Sequence, residues 1–248
     1  MSLDPLHRKP KTENRKPHAP SSVRRMFSAL VPWYDFLNRF LSLRRDVVWR
    51  RRLVAGLPDW PQPFLLDLAA GTLDVTLELA RRYPKARFAA GDFSLPMLRR
   101  GREKWQSHNH DLPLLLVTAD ALALPFPAGS WDAITVAFGI RNLTPRLAAL
   151  QEMHRVLKPG GWLAILEFGP PVSRPVSFIY HLYLNHLLPL LGRLFSRHPQ
   201  AYQYLADTIQ AFPSPGDFTQ ELRAAGFQPL PPIPLTGGIA WIYYGIKV

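Results

Sequence analysis

The residues with the clearest chemical potential lie in the turn from Asp67 to Asp74, DLAAGTLD. A dinucleotide-binding turn needs several glycines so that backbone amides can close on a pyrophosphate, and this turn has only Gly71. Its small residues still let a ligand approach the backbone, while Asp67 and Asp74 repel phosphates and favour a cation. Asp92 follows Gly71 by 21 residues, the distance at which a carboxylate reaches ribose hydroxyls. A ribose without phosphates beside an acidic turn describes S-adenosylmethionine, whose sulfonium and ammonium groups are positive.

These acidic residues also have a second interpretation, in which Asp74 and Asp92 are loop residues that cap helices. The composition of the chain excludes several other kinds of chemistry. The chain has no cysteine, which excludes disulfides, iron–sulfur clusters, thiolate zinc sites and cysteine nucleophiles. His181 and His186 are five residues apart and do not share one helix face, so no metal site is predicted.

The basic charge of the chain is concentrated near its beginning. The formal net charge is +12, and residues 1–52 carry 13 Lys and Arg against 4 Asp and Glu, so the remainder is nearly neutral. The excess indicates a basic surface patch around Arg44, Arg45, Arg50, Arg51 and Arg52. It does not indicate a nucleic-acid-binding protein, since the pattern contains no aromatic-lined basic groove.

The elements that must position the turn alternate between strands and helices. Strands are predicted at 64–68, 86–90, 114–118, 134–138 and 162–168, and helices at 75–82, 95–105 and 146–157. This alternation indicates a parallel sheet with helices on both faces. Residues 176–211 and 217–225 are predicted to be helical, and 227–235 and 239–248 are predicted to form a closing antiparallel hairpin.

The chain of 248 residues, 47% of them hydrophobic, is long enough for one large domain. Residues 1–22 are predicted to be a disordered basic arm and residues 23–248 a single domain. There is no apolar run of about 18 residues and no apolar centre of a secretory signal near the beginning. We therefore expect a cytoplasmic protein.

Further segments along the chain share the sequence of one enzyme family. They are YDFLNR (34–39), LDLAAGT (66–72), DALALPFP (120–127), AFGIRNLT (137–144), EMHRVLKPGG (152–161) and LTGGI (235–239). Through them the chain, from about Met26 to Lys247, resembles the ubiquinone/menaquinone biosynthesis C-methyltransferases. The Arg141-Asn142 pair and the TGG segment are the most specific of these features, whereas the KPGG stop recurs in many methyltransferases.

The resemblance implies a fold and a cofactor. The fold is the Rossmann-like class I methyltransferase α/β sheet, with seven mostly parallel strands, helices on both faces and an antiparallel last strand. The cofactor is S-adenosylmethionine, with S-adenosylhomocysteine as its product and no metal. The family's cofactor positions fall on Thr72, Asp92, Asp120, Ala121 and Ala137, and the neighbouring Asp67, Gly71 and Phe93 complete the predicted cofactor site.

The implied cofactor roles are separable. Thr72 lies near the methionyl part, Asp92 binds the ribose, Asp120 binds the adenine amino group and Ala121 supplies a backbone donor. Two positions depart from the family pattern. Leu73 replaces a second glycine, so the backbone there is expected to do without a positive φ angle or to rearrange. Ala137 stands where family members can carry a serine, which removes one hydroxyl hydrogen bond.

The resemblance also points to the groups that act on the substrate. Arg141 would hold the charge of a phenolate and Asn142 would orient the quinol, since an arginine is a poor proton acceptor. The alternative for Arg141 is a salt bridge to a helix carboxylate. Tyr34 and Asp35 would lie on an N-terminal helical lid, residues 23–57, and could assist proton removal, although a structural role for Asp35 is an equal alternative.

The substrate implied by the resemblance is a prenylated quinol. The apolar stretch 178–191, within a predicted helical insertion at 170–213 over the substrate site, would either pack on the sheet or form a wall for the prenyl tail. Peripheral contact with anionic lipid at the inner membrane face and a homodimer are further expectations. Two alternatives stay open: a different aromatic acceptor, or a non-catalytic quinone-binding protein of the same fold.

Overall fold

The computed structural model describes residues 42, 44–108, 112–169, 171 and 199–248. Some predicted features lie outside these residues: the arm 1–22, Tyr34 and Asp35 of the lid, His181 and His186, and the apolar stretch 178–191. Of the predicted lid and insertion, only the parts within the described residues can be compared with the structure.

The described strands form one sheet. They are β1 (Phe64–Leu68), β2 (Arg87–Asp92), β3 (Leu114–Thr118), β4 (Trp131–Ala137), β5 (Leu157–Phe168), β6 (Phe227–Pro229), β7 (Ile233–Leu235) and β8 (Ala240–Lys247). Their order is β3-β2-β1-β4-β5-β8-β6, and β7 also pairs with β8. The strands β1 to β5 are parallel, and β8 is antiparallel to β5. The predicted α/β sheet with an antiparallel last strand is confirmed.

The predicted number of seven strands is wrong, because the single strand expected at 227–235 is two short strands. β6 pairs with the end of β8, with Phe227 opposite Lys247, and β7 pairs with its beginning. Between them lie Pro231 and Pro232, which lack the N–H group that a strand ladder needs. The two strands therefore share one edge of β8, and the described sheet has eight strands.

Helices connect the strands and cover both faces of the sheet. They are α1 (Arg45–Ala55), α2 (Asp74–Arg82), α3 (Leu95–Ser107), α4 (Arg146–Val156), α5 (Pro199–Gln210) and α6 (Pro215–Ala224), with short 3₁₀ turns at Ile140–Asn142 and Thr236–Gly238. The predicted bounds of α2, α3, α4 and α6 differ from these by one or two residues. β5 begins five residues earlier than predicted, because Leu157 already pairs with Trp131.

The core has two parts, one on each face of the sheet. Side chains alternate between them along a strand, so Leu65 packs with the first part and Leu66 with the second. The first part holds residues of α1, α2 and α3, and the second holds residues of α4 and α6. Among the helices that the structure describes, none combines the length and the apolar character needed to cross a membrane.

Candidate active site

The candidate site lies at the carboxyl ends of the parallel strands. In the order β3-β2-β1-β4-β5 the sequence of connections reverses between β1 and β4, which is where open α/β sheets bind ligands. The turns that follow these two strands pack directly against each other there. A Cβ atom added to Gly139 would lie 2.4 Å from the Cβ atom of Ala69, so any side chain at 139 would collide with the turn after β1.

The turn after β1 has a rarely adopted backbone. Ala69, Gly71 and Leu73 have φ angles of 52°, 53° and 67°. This left-handed conformation costs a residue with a Cβ atom roughly 1 kcal/mol or more. Two hydrogen bonds close the turn: Leu73 N–H donates to Ala70 O at 2.9 Å, and Gly71 N–H donates to Asp92 Oδ2 at 2.8 Å. Strain of this kind persists where the surroundings hold it in place, as they do at many ligand sites.

Leu73 overturns one expectation, since it keeps the positive φ angle that a glycine would adopt. Its side chain is fully buried, and Gly101 of α3 makes room for it: a Cβ atom at Gly101 would lie 2.5 Å from Leu73 Cγ. Burial of a leucine side chain stabilises a fold by about 1.5–3 kcal/mol. That gain offsets the backbone strain, so the turn retains its shape without the second glycine.

Asp67, near the end of β1, supports the turn from inside the protein. It is 2% exposed, and its carboxylate accepts hydrogen bonds from the hydroxyls of Thr76 at 2.6 Å and Thr135 at 2.7 Å. Burial raises the pKa of Asp67 to about 6, and these two hydrogen bonds oppose the rise. Asp67 therefore joins β1 to α2 and to β4, while its predicted part in cofactor binding stays a prediction.

Asp92, the last residue of β2, is 7% exposed and faces the turn after β1. Its two oxygens accept one backbone N–H each, from Gly71 and from Ser94, both at 2.8 Å. Burial raises the pKa of Asp92, and the two N–H donors act against this. Each oxygen keeps a second lone pair, so the carboxylate can also accept from a ligand hydroxyl. Phe93 follows it and is half-buried.

The remaining predicted cofactor residues follow β3 and β4. Asp120 is exposed, and its Oδ1 accepts from Leu122 N–H at 2.9 Å, which orders a turn that holds the half-buried Ala121. Ala137 ends β4 and is half-buried, and the next residue, Phe138, has a φ angle of 58°. These residues therefore lie at the same edge of the sheet as the turn after β1.

Thr72 and Asp74 contact basic residues of the protein itself. Thr72 is 2% exposed, and Lys104 of α3 donates to its hydroxyl at 3.4 Å. Lys104 also forms an ion pair with Asp74, which Arg50 of α1 approaches to 3.3 Å. The sequence predicted that Asp74 would favour a cation. In the structure, two of the positive groups beside it belong to the protein itself, Arg50 on α1 and Lys104 on α3. The predicted contact of Thr72 with the methionyl group stays a prediction.

Arg141 lies in the 3₁₀ turn after β4 and forms a buried ion pair. Its side chain is 6% exposed, and Nη1 donates to Glu167 Oε1 at 2.6 Å and to the carbonyl oxygen of Phe138 at 2.5 Å. Glu167 is fully buried near the end of β5. The partner of Arg141 is therefore a strand carboxylate and not the helix carboxylate that the alternative interpretation expected.

Asn142 contacts a residue that the sequence analysis did not select. Its Oδ1 atom accepts a hydrogen bond from Tyr204 Oη at 2.9 Å, which ties α5 to the turn after β4. Both side chains are half-buried, and burial raises the pKa of Tyr204 while the nearby charge of Arg141 lowers it. Glu167 was also missed, although a single carboxylate in the apolar run of β5 signals a buried, paired charge. The sequence carries no such signal for Tyr204.

The arginine cluster predicted from the sequence is divided between two faces of α1. Arg50 is 7% exposed and forms an ion pair with Asp46 at 2.5 Å. The others, Arg44, Arg45, Arg51 and Arg52, are exposed. Among the residues that the structure describes, no three His, Asp or Glu side chains are placed to hold a metal ion. The absence of a metal from the reaction stays a prediction.

The strand order and the ligand-binding position between β1 and β4 are those of the Rossmann-like methyltransferase fold. Solved structures of other proteins have the same fold. One is an S-adenosylmethionine-dependent methyltransferase of Thermotoga maritima, described as a possible histamine N-methyltransferase, with a TM-score of 0.61 and 18% identity. The match covers 90% of this chain and 99% of that one. At this identity the likeness shows the fold alone.

Sequence comparison shows the family. The model of the ubiE/COQ5 methyltransferase family matches residues 11–247. The demethylmenaquinone methyltransferase of Thermus thermophilus is 44% identical over 89% of this chain and 99% of its own length. The ubiquinone/menaquinone biosynthesis C-methyltransferase UbiE of a Geobacter species is 42% identical over 91% and 96%. The chain belongs to the ubiE/COQ5 methyltransferase family, which confirms the resemblance seen in the sequence.

Proposed function

We propose that the protein transfers a methyl group from S-adenosylmethionine to a ring carbon of a prenylated quinol in menaquinone or ubiquinone biosynthesis. The observation that carries the proposal is the position of Arg141 and Asn142, which lie after β4 across the switch point from Gly71 and Asp92. Hydrogen-bond acceptors that suit a cationic nucleoside therefore lie on one side of the switch point. Hydrogen-bond donors that suit an electron-rich oxygen lie on the other side. The names of the relatives support a quinol as that second ligand.

The residues at the edge of the sheet fit the cofactor. Asp92 has lone pairs left for ribose hydroxyls, Asp120 is exposed for an amino group, and the small side chains from Ala69 to Gly71 let a ligand reach the backbone. The single glycine of the turn argues against a pyrophosphate. When bound, S-adenosylmethionine supplies an electrophilic methyl group on a positive sulfur.

The proposed reaction depends on an electron-rich ring. With the cofactor bound, the ring carbon would form the new bond to the methyl carbon, and the sulfur would keep the electron pair of the bond that is broken. The ring carbon then loses its proton, which restores the aromatic system. An ionised hydroxyl on the ring speeds the first step because its lone pairs feed the ring. Arg141 stabilises this oxyanion and does not act as the base, because a guanidinium group offers hydrogen-bond donors and no acceptor.

Two candidate groups for proton removal, Tyr34 and Asp35, lie outside the described residues. Both belong to the predicted N-terminal lid, which would exclude water from the reacting groups when it closes. A structural role for Asp35 stays the alternative. The prenyl tail of the substrate is dissolved in a bilayer. We therefore place this protein in the cytoplasm, in contact with the inner face of the membrane.

The proposal is tested by replacing Arg141, because the position of this residue supports the proposed function. Arg141→Ala is expected to keep S-adenosylmethionine binding, measured by calorimetry, and to lose at least about 100-fold in quinol methylation, measured by mass spectrometry. The variant leaves Glu167 buried without its partner, so Arg141→Lys is compared with it: this variant keeps the charge but loses the planar fork of donors. Turnover at the wild-type level in Arg141→Ala would exclude the assignment.

A matched control separates the site from general stability. Arg146→Ala also breaks an arginine–glutamate pair, since Arg146 donates to both oxygens of Glu221 of α6 at 2.5 and 2.6 Å. It is expected to lower the melting temperature and to keep turnover below that temperature. Naphthoquinol, benzoquinol and a polyketide phenol are assayed in parallel. A preference for the polyketide phenol would contradict a quinol substrate.

A further inference from the structure

The hydrogen bond between Asn142 and Tyr204 determines which end of the amide can meet a ligand. Asn142 Oδ1 accepts from Tyr204 Oη at 2.9 Å. A side-chain amide has one oxygen acceptor and one NH₂ donor, and here the acceptor is engaged. The Nδ2 atom has no hydrogen-bond partner within the described part of the chain. Asn142 can therefore meet a ligand as a donor.

Arg141, the neighbouring residue, also has donor capacity left. Its Nη1 atom is engaged by Glu167 and by the carbonyl oxygen of Phe138. Its Nε atom is buried and has no acceptor among the described residues. A buried N–H group without an acceptor is rare in folded proteins because it loses its hydrogen bond to water. The turn after β4 thus holds two adjacent residues with N–H groups that an acceptor would satisfy.

We propose that Tyr204 is a positioning residue which fixes the amide of Asn142 with its NH₂ group available, so that Asn142 and Arg141 bind an ionised phenolic oxygen of the substrate. This inference rests on the proposed function and specifies its substrate as the phenolate form of the quinol. A phenolate oxygen accepts hydrogen bonds without donating one, and it matches a donor-only pair that includes a positive charge. A neutral phenol would still accept, but without the attraction of opposite charges.

The role of Tyr204 is indirect. When Tyr204 lacks its hydroxyl, the amide of Asn142 can rotate and present its oxygen to the ligand, and this oxygen repels a phenolate. The expected consequence is a smaller preference of the site for the ionised substrate. Tyr204→Phe keeps the ring and removes the hydroxyl that donates to Asn142 Oδ1. It should therefore leave S-adenosylmethionine binding unchanged. It should reduce kcat/KM by about tenfold, the usual effect of losing one hydrogen bond to a charged group, which here is the bond from Asn142 to the phenolate.

The first experiment measures ionisation without turnover. The probe is 4-nitro-1-naphthol, whose absorbance distinguishes phenol from phenolate, bound to the full chain in the presence of S-adenosylhomocysteine. The wild-type protein is expected to lower the pKa of the bound probe, and Tyr204→Phe is expected to cancel about one unit of that decrease, a tenfold change. An equal probe pKa in the two proteins would overturn the inference.

The second experiment asks whether Tyr204 acts through Asn142. If it does, the double variant Tyr204→Phe/Asn142→Ala is no worse than Asn142→Ala alone, whereas independent effects would add and overturn the inference. Tyr83→Phe is the matched control, because Tyr83 Oη donates to Pro58 O at 2.7 Å on other elements. It is expected to match the wild type in probe pKa and in kcat/KM, and a tenfold loss in this control would overturn the inference too.

The two proposals fail in different ways. A protein that lowers the probe pKa but methylates no quinol would refute the proposed function and keep the phenolate site. A protein that methylates the quinol but binds the probe with an unshifted pKa would keep the proposed function and refute the phenolate site.

Discussion

At the scale of single residues, Asp67 is a buried carboxyl group whose ionisation opposes folding. Its pKa is about 6 in the folded protein and 3.8 in an unfolded chain. Because the folded value is the higher one, the favourable contribution is complete below about pH 4 and is lost as the pH rises through 6. Two units correspond to about 3 kcal/mol in the free energy of unfolding.

Asp67→Asn should remove this dependence, since an amide can keep both threonine contacts without ionising. Urea unfolding between pH 4 and 7.5 measures it: relative to Asp67→Asn, the wild type should lose stability as the pH rises. Thr135→Val removes a hydrogen bond that favours the ionised form and should move the loss to higher pH. Parallel curves for the wild type and Asp67→Asn would show that the carboxyl group does not titrate in this range.

The positions of Asp92 and Gly71 at the carboxyl ends of β2 and β1 could be predicted from the sequence, because each lies where a predicted strand gives way to a turn. Contacts between distant parts of the chain could not. Asn142 and Tyr204 are 62 residues apart, and nothing in the helical pattern of α5 marks Tyr204. Arg50 was grouped with Arg51 and Arg52, which are exposed, because a run of three arginines does not show which of them faces the protein.

At the scale of elements, the turn after β1 and helix α3 fit together through Leu73 and Gly101. The alternation of strands and helices predicted both elements, but it could not predict that a leucine would take a glycine's conformation. That outcome depends on space in α3, 28 residues further along the chain, where Gly101 has no side chain. A local pattern cannot report such tertiary compensation. The prolines at 231 and 232, by contrast, were visible and mark the break that makes β6 and β7 separate strands.

A double-mutant cycle can test whether Leu73 and Gly101 compensate each other. Gly101→Ala should destabilise the protein by about 1–3 kcal/mol because its Cβ atom meets Leu73 Cγ. Leu73→Gly relieves the backbone but leaves a cavity, with an expected loss of about 2–5 kcal/mol. The double variant should lose less than the sum, by about 1 kcal/mol or more, because the new methyl group occupies part of the vacated space.

The control for this cycle is Gly216→Ala in α6, where an added Cβ atom meets nothing closer than 3.9 Å. It should stabilise the helix by about 0.5–1 kcal/mol and add to either single change. Urea denaturation provides all the values. Strict additivity of Leu73→Gly and Gly101→Ala would mean that the two residues do not compensate each other.

At the scale of the whole molecule, the charge is divided unequally. The basic face consists of Arg45, Arg51 and Arg52 of α1 and of Arg44 directly before it, all exposed around Val48, which is 46% exposed. A basic face with an apolar residue at its centre suits the surface of an anionic bilayer, where the proposed substrate is dissolved. Each arginine near such a surface gains about 1 kcal/mol, and the gain falls as salt screens the charges.

Flotation with vesicles of phosphatidylglycerol and phosphatidylcholine measures this attraction. The wild type should float with anionic vesicles at low salt and sediment at high salt. Changing Arg44, Arg45, Arg51 and Arg52 together to glutamine should weaken binding by about two orders of magnitude or more. Changing the exposed Arg99, Arg100 and Arg102 of α3 to glutamine also removes positive charge, but it should weaken binding less, because these residues do not belong to the basic face around Val48. Equal losses for the two sets would mean that net charge, and not the face of α1, brings the protein to the membrane.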